Sequence, residues 1–237
     1  MPSALSSPAV TQALVRLRAS GDAEDEPAKR RVRAREARLG SKVYGSERAD
    51  LYAGAPLSIA ADVGELLHLL VLARRPHRIV EFGASLGVST IYLAAALQDI
   101  GVGSLITTEL VPEKARLAQQ HLSEAGLGQL VEMRVGDARD TLAALDEEVE
   151  LLFLDGWNDM YLAVLELLEP LMPTGALVIA DMSKDDPELT HYHEHVHRES
   201  NGYHSVDLPL DDGVVVSVRA RPEGPRLGSP LTRALPE

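Results

Sequence analysis

The chain has 237 residues, 45% of them apolar, enough for one large domain with extensions. It contains no cysteine, which excludes disulfides, a thiolate metal site and a cysteine nucleophile. The net charge of −13 argues against broad contact with a phosphate backbone, which needs clustered Lys and Arg, so no nucleic-acid partner is expected.

The start, Met1-Pro2-Ser3-Ala4-Leu5, lacks the charged-then-apolar order of a secretion signal, and no apolar run is long enough to span a bilayer. A cytoplasmic protein without membrane association is the expectation. Residues 1–55 read as a helical extension and loop. Over 23–38 acids come first and bases after, which matches a helix dipole and suggests a solvated helix. Gly45, Gly54 and Pro56 mark 40–56 as loop. From 58 to 73 the residues Val63, Leu66, Leu67, Leu70 and Val71 recur at helical spacing.

After Pro76 the pattern alternates. Strands are predicted at 78–82, 104–109, 130–135, 150–155 and 175–180. The helices between them fall at about 87–98, 112–125, 138–146 and 159–171. A further helix spans 187–199, a hairpin follows over 203–208 and 213–219, and 220–237 has the composition of a flexible tail. The expected fold is α/β and doubly wound, a mostly parallel sheet with an antiparallel edge, filling a domain at 56–219.

Five strands end in acids: Glu81, Glu109, Asp137, Asp155 and Asp181. Ligands of open parallel sheets bind outside those ends, and a row of carboxylates there suits ribose hydroxyls, an exocyclic amine and a positive charge. The turn after the first strand carries Gly83, Ser85, Gly87 and Ser89. A dinucleotide fingerprint needs glycines where Ser85 and Val88 stand, so a nucleoside without phosphates is favoured. Glu109, 26 residues after Gly83, is placed to accept from a ribose or to benefit from a helix start. Asp137 either accepts from an adenine amine or caps the next helix. Trp157, the only tryptophan, lies in the loop Asp155-Gly156-Trp157-Asn158, where it stacks on a base or plugs the helix–sheet junction.

Together these segments, with Ala180-Asp181, resemble the catechol O-methyltransferase-like family of class I S-adenosylmethionine-dependent methyltransferases. The resemblance covers about 55–219 and implies a seven-stranded Rossmann-like sheet whose last strand is antiparallel, a small-molecule acceptor and a homodimer. By resemblance Ser58, Ile59, Gly83 and Ser89 line the methionine end of the cofactor. Glu109 takes the ribose, Ala138 and Trp157 enclose the adenine, and Asp155 faces the amino group. Glu81, Asp137 and, from its place in the turn, Ser85 join the expected cofactor site.

Two positions depart from the family. Its metal-dependent members bind Mg²⁺ through acids matching Asp155 and Asp181 and an Asn where this chain has Met182, a poor ligand for a hard cation. Asn158 replaces the lysine that serves as general base, and a neutral amide cannot take a phenol proton. Among His191, His193, His195 and His197, two pairs have the spacing of a two-ligand metal site. No third ligand is evident, so surface histidines are expected. Should their helix cover the pocket, His191, His195 or His204 is a candidate base, beside Asp155 and Asn158. The leading expectation is a small-molecule O-methyltransferase with weak or no metal dependence. The alternative is a diverged cofactor-binding protein or a non-methylating enzyme.

Overall fold

A computed structural model describes residues 3–182 and 186–220. Seven strands make one sheet: β1 (Arg78–Phe82), β2 (Ser104–Glu109), β3 (Val131–Val135), β4 (Leu151–Leu154), β5 (Leu177–Asp181), β6 (Tyr203–Leu208) and β7 (Val214–Arg219). Their order is β3-β2-β1-β4-β5-β7-β6. The first five are parallel, and β7 runs antiparallel to both β5 and β6.

Side chains alternate across a strand, and here both faces are apolar. Ile79, Leu105, Phe153 and Ile179 enter one layer, while Val80, Ile106, Leu152 and Val178 enter the other. The first layer is covered by α1 (Pro8–Leu39), α3 (Ala61–Arg74), α4 (Val88–Ile100) and α5 (Pro112–Glu124). The second is covered by α6 (Ala138–Thr141), α7 (Tyr161–Leu168) and α8 (Thr190–His197). Between α1 and α3 lies α2 (Gly45–Leu51).

Two expectations need correction. The charged helix is only the second half of α1. Its first half sends Val10, Ala13, Leu14 and Leu17 into the first layer, a stripe at helical spacing, so it shares the main core. The loop expected at 40–56 contains α2, which Gly45 opens and Gly54 follows, so these glycines bracket a helix. The tail from 221 lies outside the described residues.

Candidate active site

At β1 and β4 the connections leave for opposite faces of the sheet: β1 leads into α4 on the first layer, and β4 into α7 on the second. Such a switch point opens a crevice beyond the carboxyl ends. A cavity of about 410 Å³ occupies it, and Gly83, Ser85, Glu109, Asp137, Ala138, Asp155 and Trp157 all line it. Gly83 has φ +97°, and a Cβ there would lie 2.5 Å from the Asp155 carbonyl oxygen, so only glycine brings these two loops together.

Glu109 is buried at the end of β2. Its Oε2 accepts from the Ser85 amide and its Oε1 from the Val111 amide, each at 2.8 Å. One carboxylate thus fastens the loops after β1 and β2, and each oxygen keeps a second lone pair for a ligand. Burial pushes its pKa up, against the backbone donors and the nearby Lys114 ammonium. Lys114 is itself buried and lines the cavity, donating to Ser85 Oγ at 3.3 Å. Burial lowers its pKa. Sequence reasoning missed it. The available signal was a lysine two residues after Pro112, in the first turn of a helix that starts at the crevice.

Asp137 caps α6 by accepting from the Arg139 amide, and the Arg139 guanidinium grips both its oxygens at 3.1 and 2.6 Å. Those guanidinium bonds hold its pKa below the usual range. The capping role is therefore present, and Arg139 competes for any ligand at this carboxylate. Trp157 borders the cavity beneath Arg48 of α2, whose guanidinium carbon lies 5.1 Å from the indole centroid. Tyr52 packs on the same ring at 5.7 Å. Arg48 also bonds Glu188 at 3.1 Å and Asp159 at 3.5 Å, so α2 is anchored over the cavity mouth.

Asp155 and Asp181 face each other within hydrogen-bonding reach. Burial, its neighbour and Glu81 raise the Asp155 carboxyl well above the usual range. Burial, with the charges of Asp211 and Asp212, takes Asp181 up to about 7. Burial and like-charge repulsion thus shift both carboxyls toward the protonated form.

Four expected residues do not border this cavity. Glu81 is buried, with Oε2 accepting from Thr90 and Thr107 at 2.6 Å each, and Oε1 has no partner. Ser89 is buried beside it and Ile59 is in the core. The Ser58 hydroxyl is buried without a partner.

Among the candidate bases, Asn158 donates to Asp186 at 2.8 Å. His195 faces Glu169 at 2.8 Å, near Tyr203, at the amino edge of the sheet and away from the crevice, because Tyr203 and Arg219 form the outermost β6–β7 pair there. His191 and His204 are exposed.

Comparisons with known proteins give the family. A family model described as a methyltransferase domain matches residues 80–182. A Mycobacterium sp. (strain JLS) protein named "Putative O-methyltransferase" is 33% identical over 188 residues, which cover 73% of this chain and 83% of that protein. A catechol O-methyltransferase from Niastella koreensis is 35% identical over 134 residues, 54% of this chain and 60% of its own.

The chain belongs to the catechol O-methyltransferase-like family.

It is an S-adenosylmethionine-dependent class I O-methyltransferase. Among solved structures, the O-methyltransferase TomG from Streptomyces achromogenes, in complex with SAM, aligns with TM-score 0.63 and 29% identity. The alignment covers 73% of this chain and 87% of TomG. In this methyltransferase no helix among the described residues is long and apolar enough to cross a membrane.

Proposed function

We propose that the methyltransferase holds S-adenosylmethionine along the crevice and methylates an oxygen of a small acceptor that arrives already ionised, without a divalent metal. The observation that carries this reading is Glu109, fixed by the Ser85 and Val111 amides at the rim of the cavity with lone pairs to spare for two ribose hydroxyls. Gly83 leaves room for the cofactor to pass close to the backbone, and Ala138 and Trp157 offer apolar surface for a base. The acidic pair Asp155 and Asp181 complements a cationic ligand beside them. Ser58, Ile59, Glu81 and Ser89 belong to this reading as the layer behind the methionine end. The unpartnered Ser58 Oγ and Glu81 Oε1 are donor and acceptor capacity still unused.

The bound cofactor supplies a methyl group on a sulfonium, open to displacement by an oxygen nucleophile in line. Positioning then provides much of the acceleration. Neither of the two candidates weighed there serves as a free base, since Asn158 is a neutral amide tied to Asp186 and His195 is remote. A carboxylate or an acidic phenol needs none.

The Mg²⁺ site of the metal-dependent relatives does not fit the residues present. Met182 is packed in the core, and among the described residues no third His, Asp or Glu closes on Asp155 and Asp181. A hard cation wants six or more oxygens, and the Met182 thioether supplies none. The homodimer, which rests on the family resemblance, and the cytoplasmic setting, which is the expectation from the sequence, are part of the same proposal.

Incubation with S-adenosylmethionine and a panel of acidic phenols and carboxylates, read by mass, tests the reading. A gain of one methyl that survives exhaustive chelation is expected. Loss of activity on chelation, restored by Mg²⁺, overturns the metal-free part. Unchanged acceptor mass across the panel, with cofactor bound, overturns the choice of an ionised acceptor.

A further inference from the structure

A second cluster of chemistry lies away from the crevice, where α8 meets the edge strand β6. His193 and His197 stand one turn apart on α8 with their rings stacked at 4.0 Å between centroids. Asp207 of β6 reaches both: His193 Nε2 is 3.0 Å from Oδ1, and His197 Nε2 is 3.4 Å from Oδ2. One donor atom from each residue lies within 4.8 Å of the others, and the three are the one such group among the described residues. The expectation of no third ligand is therefore corrected. The partner comes from a strand ten residues further along the chain, a distance that helical spacing cannot reveal.

The hydrogen bonds say what this arrangement lacks. His197 Nδ1 lies 3.0 Å from the His193 carbonyl, which can only accept, so that nitrogen carries a proton. In a neutral His197 the Nε2 lone pair then points at a carboxylate oxygen, which is repulsive unless something positive lies between. Among the described residues His193 Nδ1 has no such partner, so a neutral His193 can donate from Nε2 to the other oxygen at 3.0 Å, and the mismatch lies at His197 alone. A divalent cation held between the three side chains answers the His197 contact with a neutral ring, and His193 in its Nδ1–H tautomer offers Nε2 as a second nitrogen ligand. The backbone carbonyl behind His197 is also the kind of outer partner that orients a ligating histidine.

We propose that His193, His197 and Asp207 form a binding site for a transition-metal cation of the zinc class, clipping α8 to the edge strand. Two imidazoles and a carboxylate match the nitrogen and oxygen preference of such ions, and three protein donors leave a fourth position for water. His193 and Asp207 also line a separate cavity of about 500 Å³ that reaches Met182 at the end of β5. The site is independent of the methyl-transfer reading.

Calorimetric titration of the chelator-treated full chain with ZnCl₂, paired with thermal melting, tests it. One equivalent should bind and raise the melting temperature. Asp207→Asn and His197→Gln should each weaken binding by more than about tenfold, while His191→Gln should leave it unchanged. All of these residues lie at the surface, and circular dichroism verifies that each variant folds. No binding by the parent chain, or equal binding by the Asp207→Asn and His197→Gln variants, overturns the proposal. The second result would locate zinc elsewhere, at Asp155 and Asp181 for example. Co²⁺ in place of Zn²⁺ should give the visible bands of a low-symmetry site, and their absence in Asp207→Asn should follow the calorimetry.

Discussion

Glu109 shows how one side chain serves both fold and ligand. Its two oxygens close the loops after β1 and β2 onto each other, and the same carboxylate borders the cavity. Glu109→Ala removes a charged acceptor and leaves two loop amides without partners. S-adenosylmethionine should bind more than tenfold more weakly, about 1.4 kcal/mol or more. Glu109→Gln keeps one carbonyl oxygen and should fall between the two. An unchanged dissociation constant in calorimetry for the alanine variant would contradict the ribose assignment. The position of Glu109 was legible because it ends a strand at a fixed distance from Gly83. Its loop bonds were not, since backbone amides carry no mark in a sequence. Lys114 was hidden for a related reason: only the fold brings it back to Ser85.

At the scale of elements, the long apolar strands and helices declared themselves by period, and α2 did not. Seven residues give fewer than two turns, too short for a stripe to stand out, and its glycines read as breakers. What holds α2 is tertiary. Arg48 spans from it to Glu188 and Asp159 while lying over Trp157, and its side chain and that of Glu188 are only 11% and 10% exposed. Removing one partner of so enclosed a pair strands the other. Arg48→Ala should therefore destabilise the fold by on the order of 2 kcal/mol in urea titration. It should also raise hydrogen exchange over 44–53 and weaken cofactor binding several-fold. Arg48→Lys should rescue little of this, because an ammonium neither stacks on indole nor reaches two carboxylates in a plane. Protection in α2 equal to that of the parent chain would show that the anchor lies elsewhere.

Over the whole molecule, the strand ends concentrate negative charge at one edge of the sheet, and the order of β/α units already pointed to that edge. What the linear pattern could not give was the depth of each acid, and depth sets its proton. Asp181 rises from 3.8 to about 7 through burial and the charges of Asp211 and Asp212. Between those values the folded chain keeps a proton that the unfolded chain has released. The stabilising contribution is thus fully present below about pH 4 and is lost as the pH rises through 7. From this group the unfolding free energy should fall by on the order of 1 kcal/mol per pH unit across that window. Asp181→Asn, neutral at every pH, should flatten the profile and leave only the share owed to Asp155. Urea denaturation in the presence of chelator at pH 5, 6, 7 and 8 measures both chains. Parallel profiles would mean that Asp181 is ionised in the folded protein throughout. The pH dependence would then belong to Asp155, whose carboxyl is raised further by an ionised neighbour.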